Sequence, residues 1–306
     1  GRAASGKDKV AFCGYHGWHD WYLAANLGDD DSLDGHLIPG LEPNGVPRAL
    51  QGTSMPFQYN DLEGLRTLLE NEPDIGVIYM EPQRSTPPES GFLQGVRELA
   101  IKHQAVLIFD ECTSGFRRTL GGLHMHYGVE PDIATFGKTL GNGYAITAVI
   151  GRDSVMQAAQ STFISSTFWT ERIGPTAALA ALDVMREERA PQRVHRIGNE
   201  VQDRWHQAAQ DNGLSITTSH LPALANFAIH GRDPLLVKTF VTSQMLDRGY
   251  LAGVNLYASI AHTPAILDRY HDAMNAVFQQ LSQMPDDDIL KQLPNGPAQS
   301  GFRRLT

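Results

Sequence analysis

Lys138 and Asp110 have the side chains and the spacing to do chemistry together. Lys138 lies in "TFGKTLGNG", between an apolar stretch and a glycine-rich turn, and Asp110 ends the apolar run "VLIFD". An apolar run that ends in an acid predicts a carboxylate at the C-terminal edge of a buried sheet, where α/β proteins place ligand groups. Lys138 follows Asp110 by 28 residues (138 − 110), which is enough chain for one crossover back to the same edge.

A lysine and an aspartate at one sheet edge are the pair that pyridoxal phosphate requires. A lysine holds this cofactor covalently, and a carboxylate keeps its ring nitrogen protonated. The protonated ring withdraws electrons from the substrate α-carbon. The pair therefore predicts pyridoxal phosphate as the cofactor.

Two other interpretations of Lys138 stay open at this point. The letters "GKT" favour a phosphate-binding loop, but Asp132 stands where the first glycine of that motif belongs, and "LGNG" obstructs the helix that should face the phosphate. The lysine could also be an ordinary solvated side chain, since most lysines are exposed. Nucleotide-binding assays with magnesium would test the first alternative.

Composition excludes several classes of protein. The 306-residue chain has a net charge of -9 and a pI near 5.7, which argues against binding to nucleic acid or to an anionic membrane. It contains no unbroken apolar run of about 20 residues, so no membrane span is predicted. Cys13 and Cys112 lie far apart and outside metal-type spacings, so we expect a reducing, cytoplasmic location and no disulfide framework.

Short apolar stretches alternate with helical ones along the first part of the chain. Strands are predicted for "KVAFCGY", "DIGVIYMEP", "AVLIFDE" and "AITAVIG". Helices are predicted for "YNDLEGLRTLLENEP", capped by Asn60 or Asp61, and for "FLQGVRELAIKHQ". Continuous apolar strands between helices are typical of an α/β fold with a mainly parallel sheet that helices cover on both faces.

The character of the chain changes after an Ala-rich helical stretch. We expect a large domain over residues 1–195 and a smaller C-terminal α+β domain over 196–285. Residues 286–306 are rich in Pro, Gly and charge, which predicts an extended, loosely held tail.

Four motifs together resemble a known family. "GYHGWHD", "PFQYNDLEGL", "VLIFDECTSGFR" and "ATFGKTLGNGYAITAVIGR" look like the class III (fold type I) pyridoxal-phosphate aminotransferases, in particular the glutamate-1-semialdehyde aminomutase-like branch. The similarity runs from Lys9 to about Gln280, with the motifs in family order. It implies transfer of an amino group, between molecules or within one, on a small amino/keto or semialdehyde substrate.

The resemblance assigns roles to individual residues. Lys138 stands at the family's cofactor-bearing lysine, and Asp110 at the acid that pairs with the pyridine nitrogen. Tyr15 matches the aromatic residue on one face of the cofactor ring, and Cys112 takes the place of the family's usual valine on the other face. Glu81 in "MEP" matches an acid near the lysine that contributes polarity or positioning.

The same resemblance implies a homodimer with shared sites. Thr170 lies five residues before Pro175, the spacing of a family threonine that reaches the cofactor phosphate of the neighbouring subunit. His16 and His19 become supporting or core residues rather than metal ligands, and no metal is expected. The candidates for binding a substrate carboxylate are Arg84, Arg117 and Arg172.

The family segment Ser-Gly-x-Glu-Ala, which cups the cofactor phosphate, should precede "GKDKVAF" and is absent from this sequence. The resemblance therefore implies an N-terminally incomplete large domain. We expect this stretch by itself to bind cofactor poorly or to aggregate, because the phosphate would lose backbone donors. A cofactor-free interaction protein descended from the enzyme remains an alternative.

Overall fold

The computed structural model describes residues 1–28, 32–33, 40, 42–165 and 167–299. Contacts between Cα atoms divide the chain into two compact units, Gly1–Glu187 and Glu188–Ser300. Within the described residues, none of the helices is long and apolar enough to cross a bilayer.

The first unit combines a sheet with helices. Its strands are β1 (Lys9–Cys13), β2 (Ser54–Pro56), β3 (Ile75–Met80), β4 (Val106–Asp110), β5 (Ile133–Phe136) and β6 (Ala148–Gly151). Its α-helices are α1 (Arg2–Ser5), α2 (Asp20–Leu23), α3 (Leu62–Asn71), α4 (Phe92–Lys102), α5 (His124–Tyr127), α6 (Asp153–Met156) and α7 (Ile173–Glu187). Short 3-10 helices cover Ala24–Leu27, Arg48–Leu50, Lys138–Leu140 and Gln157–Ser161.

The sheet has the strand order β2-β1-β3-β4-β5-β6. All pairs are parallel except β5 with β6, which is antiparallel. The short connection between Phe136 and Ala148 explains the reversal, because a parallel return needs a crossover of about a dozen residues or more, usually with a helix. The mainly parallel α/β class predicted from the apolar runs is confirmed.

Alternation along the strands builds a core on each face of this sheet. On one face, Ala11, Ile78 and Leu107 pack against α3 and α4. These helices contribute the buried residues Leu65, Leu69, Val96 and Leu99. Val10, Phe12 and Val77 face the other side, where Tyr22 and Leu33 pack. The cap of α3 is Asp61, whose carboxylate accepts a hydrogen bond from the Gly64 N–H at 2.8 Å.

The second unit surrounds its own core. It contains α8 (Ala190–Asp211), β7 (Ile216–Thr218), β8 (Leu224–Ile229), α9 (Pro234–Asp247), β9 (Asn255–Tyr257), α10 (Pro264–Gln283) and α11 (Asp286–Lys291). The strands form an antiparallel sheet in the order β7-β8-β9. Trp205 is fully buried in this core and donates from Nε1 to the Tyr270 hydroxyl at 3.0 Å.

Two expected boundaries are corrected by the structure. The division falls between Glu187 and Glu188 rather than after residue 195, because α8 is one continuous helix and its buried residues Val194 and Ile197, on either side of the expected boundary, both pack in the second core. Residues 286–293 are not an extended tail, since Ile289 and Leu293 lie buried in the same core.

Candidate active site

Parallel strands bring the predicted residues to one edge of the sheet. β1, β3, β4 and β5 are consecutive neighbours and run in the same direction, so their carboxyl ends lie at one edge. Tyr15 and His16 follow β1, Glu81 follows β3, Asp110 ends β4, and Lys138 follows β5. The chain thus places a buried acid and a lysine where α/β proteins form ligand sites.

Asp110 accepts hydrogen bonds on both carboxylate oxygens. Oδ2 accepts from His16 Nδ1 at 2.9 Å and from the Tyr79 hydroxyl at 3.2 Å. Oδ1 accepts from the Cys112 N–H at 3.0 Å and the Thr135 hydroxyl at 3.4 Å. Burial raises the pKa of Asp110, but the hydrogen bond and charge of His16 and the Cys112 N–H outweigh it and bring this pKa to about 2. The carboxylate is therefore ionised at neutral pH.

His16 has a fixed ring orientation. Its Nδ1 faces Asp110, and its Nε2 lies 2.9 Å from the Cys13 carbonyl oxygen. Its ring stacks on Tyr79 with centroids 4.0 Å apart and an interplanar angle of 24°, and its side chain is fully buried. Two hydrogen bonds and a stacking contact thus hold His16 against the Asp110 carboxylate.

Lys138 has an unusual backbone. Its φ of +46° lies in the left-handed region, which costs a non-glycine residue about 1–3 kcal/mol and is concentrated at functional sites. The extended Gly137 precedes it, and Lys138 begins a 3-10 turn of only three residues. Lys138 is exposed, and its Nζ lies 3.0 Å from the Thr113 hydroxyl oxygen. The structure thus presents a reachable amine with one defined contact.

Glu81 and Cys112 both interact electrostatically with Asp110 and with Lys138. Burial raises the pKa of Glu81, and Asp110 adds to this effect, while Arg84 is the strongest opposing influence. Burial also raises the pKa of the Cys112 thiol to about 11, with the charge of Asp110 contributing. These shared influences place the four predicted groups in one site, with Cys112 as a neutral thiol.

The other two predicted residues lie in different surroundings. Tyr15 is half-buried and makes edge contacts with Trp18 and Tyr22, at centroid distances of 5.1 and 5.8 Å. Thr170 is exposed, in the loop that precedes α7. The chain therefore brings Tyr15 to the sheet edge, whereas Thr170 lies on the surface.

The three candidate arginines are now distinguished. Arg84 Nη1 lies 3.5 Å from Glu81 Oε2, with its side chain 42% exposed. Arg117 donates from Nε to the Thr113 carbonyl oxygen at 2.7 Å, within its own turn. Arg172 is exposed just before α7. Arg84 is therefore the arginine that lies beside a predicted site residue and remains accessible.

The residues present fit pyridoxal phosphate. The donor set around Asp110 keeps an anion at the sheet edge, which suits a protonated ring nitrogen, and Lys138 supplies the amine. A phosphate-binding loop does not fit, because the three-residue 3-10 turn after Gly137 is not the helix whose N-terminus would face a phosphate. Among the described residues, no group of three or more His, Cys, Asp and Glu side chains is arranged to hold a metal ion.

Comparison with solved structures identifies the fold. The FumI protein of Sphingopyxis sp. MTA144, solved with pyridoxal phosphate, matches with a TM-score of 0.81 and 21% identity, over 94% of this chain and 69% of that chain. An omega-transaminase from Sphaerobacter thermophilus matches with a TM-score of 0.79 and 22% identity, over 92% of this chain and 70% of that chain. The fold is thus that of the fold type I pyridoxal-phosphate transaminases.

Sequence comparison identifies the family. The family model for aminotransferase class-III matches residues 14–218, and the chain belongs to that family. It is 34% identical over 229 residues to the 3-aminobutyryl-CoA aminotransferase of Cloacimonas acidaminovorans (strain Evry). The matched region covers 72% of this chain and 51% of that relative. The chain thus spans about half the length of this curated relative.

Sequence reasoning left Tyr79 and Thr113 without a role and did not predict the contacts of His16. His16 was expected only as a supporting or core residue, and the acceptors at its two ring nitrogens depend on the fold. Tyr79 sits in an apolar strand, and the β3–β4 register sets it beside Ile108 on the same face as Asp110. Thr113 lies in a turn of ordinary composition. Closeness in sequence to a strand-end acid could have indicated Thr113, three residues after Asp110, and Tyr79, two residues before Glu81.

Proposed function

We propose that this chain carries out pyridoxal-phosphate-dependent transfer of an amino group to or from a small amino, keto or semialdehyde substrate. The observation that carries the proposal is the buried, ionised Asp110, which receives four hydrogen bonds at the sheet edge where Lys138 presents its amine. Membership of the class-III aminotransferases supports the same reaction class.

Pyridoxal phosphate, when bound, would supply an electron sink that makes the hydrogen on the substrate's amine-bearing carbon acidic. Asp110 would hold the proton on the ring nitrogen, because its low pKa keeps the carboxylate negative. Lys138 would bind the cofactor covalently, and its amine, once freed by the substrate, would take and return a proton at Nζ. Both roles need a fixed acid and a reachable amine, which this edge provides.

The remaining site residues would orient the cofactor. Tyr15 would contact one face of its ring, and Cys112 the other face as a neutral thiol, since the pKa of Cys112 is raised to about 11 by burial. Glu81 would adjust the charge near Lys138 through its pair with Arg84. Arg84 is our candidate for binding a substrate carboxylate, because its guanidinium is accessible.

We propose a homodimer in which the segment before α7 meets a second copy. Phe163, Phe168 and Trp169 are 98%, 74% and 69% exposed, and exposed apolar groups clustered this closely are typical of interaction sites. Thr170 lies in the same segment, consistent with a role in the partner's site. Phe163→Ser with Trp169→Ser should shift the mass measured by light scattering toward the monomer, whereas an unchanged dimer would remove this surface from the interface.

The substrate is proposed only as a class. The relative named 3-aminobutyryl-CoA aminotransferase supports transfer between two molecules, and the aminomutase-like motifs support transfer within one molecule. Assays with amino donors and keto acceptors, compared with a semialdehyde-type substrate given alone, separate these reactions. Formation of product from the single substrate without a second acceptor would favour the intramolecular reaction.

A cytoplasmic location is also proposed. Cys13 and Cys112 are both free thiols, and a chain with two unpaired cysteines suits a reducing compartment. Fractionation of the native source with thiol labelling before lysis would test this. Oxidised thiols in an extracellular or periplasmic fraction would contradict it.

The experiment that tests the function combines absorbance with chemical trapping. The purified chain is mixed with pyridoxal phosphate, its visible spectrum is recorded, and borohydride is added before peptide mass spectrometry. We expect a yellow band and a reduced cofactor adduct on Lys138, both missing from Lys138→Ala. Lys238→Ala, which removes an exposed lysine of α9, serves as the matched control. A colourless mixture with no adduct, both for this chain and for the chain extended by a phosphate-binding segment, would refute the proposal.

A further inference from the structure

Thr113 makes the defined contact of the Lys138 amine. The Thr113 hydroxyl oxygen lies 3.0 Å from Lys138 Nζ, and Thr113 is 8% exposed. Lys138 itself is exposed, so its flexible side chain could have pointed into solvent. A buried hydroxyl on a short turn therefore holds an amine that has no steric reason to stay in place.

The turn that carries Thr113 is anchored to the fully buried carboxylate of Glu111. That carboxylate accepts hydrogen bonds from the Ser114 hydroxyl and, at 2.9 and 2.8 Å, from the backbone N–H and Nδ1 of His124. Arg117 donates from Nε to the Thr113 carbonyl oxygen at 2.7 Å. Since both ends of the turn are tied down, the Thr113 hydroxyl has a fixed position relative to the sheet edge.

A hydroxyl suits an amine that changes its protonation state. It accepts a hydrogen bond from an ammonium group and donates one to a neutral amine, whereas a carboxylate or a carbonyl oxygen only accepts. In the proposed reaction the freed Lys138 takes a proton and gives it back, so it passes through both states. The Thr113 hydroxyl can hold the Lys138 amine in each of them without moving.

We propose that Thr113 is a positioning residue that holds the free amine of Lys138 between its attachments. This inference rests on the proposed function for its role in catalysis, but the contact itself exists in the cofactor-free chain. Glu81 and Cys112 interact with Lys138 electrostatically, whereas Thr113 makes a hydrogen-bond contact with Nζ.

The test measures how fast acetic anhydride acylates Lys138 in the cofactor-free protein, by peptide mass spectrometry at fixed pH. Thr113→Val removes the hydroxyl with little change of shape and should raise the rate about fivefold, because one hydrogen bond to the amine is lost. Thr113→Ser keeps the hydroxyl and should stay within about twofold of the parent. Lys238 in the same digest reports general reactivity and should not change.

Thr119→Val is the matched control. It removes a hydroxyl that donates to the Gly122 carbonyl oxygen at 2.7 Å in the loop that follows the Thr113 turn, so a faster reaction of Lys138 in this variant would mean that general loosening of the region is the cause and would overturn the proposal. Equal rates for Thr113→Val and the parent would also overturn it. If Thr113→Val does not fold, Thr113→Ala is used, with Thr113→Ser still required to match the parent.

The outcome is independent of the cofactor experiment. Failure to trap pyridoxal phosphate on Lys138 would refute the proposed function, but it would not affect the difference in acylation rate between Thr113→Val and the parent. Equal acylation rates in Thr113→Val and the parent, together with a normal cofactor band, would refute only the role of Thr113.

Discussion

Replacement of His16 by phenylalanine separates the charge of this site from its packing. The phenyl ring can keep the stacking on Tyr79, where the His16 centroid lies 4.0 Å away. The variant loses both ring nitrogens, and with them the contacts to Asp110 Oδ2 and to the Cys13 carbonyl oxygen, each at 2.9 Å. The Asp110 carboxylate then stays buried with weaker partners.

The pKa of Asp110 gives the magnitude. A fall from 3.8 to about 2 corresponds to about 2 kcal/mol of stabilisation of the ionised form. Because the native pKa lies below the unfolded value, this stabilisation is present above pH 3.8 and is lost as the pH falls toward 2. Asp110 is only 11% exposed in its side chain, so solvent screens the interaction little. We therefore expect His16→Phe to lower the free energy of unfolding at pH 7 by at least about 2 kcal/mol, because burial without His16 raises the pKa of Asp110.

Two measurements check this prediction. Urea unfolding at pH 7 gives the loss of stability, which should shrink as the pH is lowered toward 4. Carbon-13 NMR of labelled aspartate carboxyls, with Asp110→Asn for assignment, follows the titration directly. In the parent protein the Asp110 signal should stay constant from pH 7 to 4. In His16→Phe its inflection should enter that range, because burial, which raises the pKa of Asp110, then dominates.

Tyr79→Phe is the control for this experiment. It removes one donor at 3.2 Å from Asp110 Oδ2 and keeps the aromatic ring, so its effect on stability should be smaller, about 1 kcal/mol. An Asp110 signal that still shows no inflection above pH 4 in His16→Phe would refute our account of how the carboxylate is kept ionised. Equal losses in His16→Phe and Tyr79→Phe would refute the leading role of His16.

Three further outcomes are expected. Burial raises the pKa of Glu81 above its ordinary 4.5, so the folded protein loses stability as the pH rises through that raised pKa. Glu81→Gln should therefore gain stability relative to the parent as the pH rises above 4.5, and a pH-independent difference in urea unfolding would contradict this. Trp205→Ala should destabilise the second unit by about 3–5 kcal/mol, measured as faster hydrogen exchange in that unit. Tyr270→Phe removes only the hydroxyl that accepts from Trp205 Nε1 at 3.0 Å and should cost about 1 kcal/mol. Similar losses in the two variants would show that packing is not the main contribution of Trp205 to stability. Asp132→Ala removes the carboxylate that lies 2.8 Å from Nη1 of Arg97, whose side chain is only 17% exposed. The loss of this pair should cost about 3 kcal/mol in urea unfolding, so a loss below about 1 kcal/mol would show that water replaces the pair.

The tertiary structure corrected the prediction for the C-terminal segment, where two local sequence patterns conflict. In "PDDDILKQL" the proline and the acids favour an extended tail, yet Ile289 and Leu293 are spaced one helical turn apart and reach the second core. Arg232 pairs with Asp286 at 2.7 Å, which holds α11 at its start. Distant residues decided this segment, because an apolar pair is worth little until a core exists to receive it.

The sequence by itself determined the main parts of the candidate site. Apolar runs that end in acids, separated by helical stretches, fix strands whose carboxyl ends share an edge, and Asp110 and Lys138 follow from that rule. The motif resemblance added Tyr15, Cys112 and Glu81. These inferences need only the chemistry of each residue and its position in an element, both of which are local properties of the chain.

Only the tertiary structure decided what each of these groups touches. The register of β3 against β4 sets Tyr79 beside Asp110, the turn after β1 points His16 at the same carboxylate, and the anchored turn after β4 brings Thr113 to Lys138. Contacts between residues 25 to 94 positions apart depend on strand order and register, which arise from packing of the whole sheet. The ionisation of Asp110 and the position of the lysine amine are therefore properties of the fold.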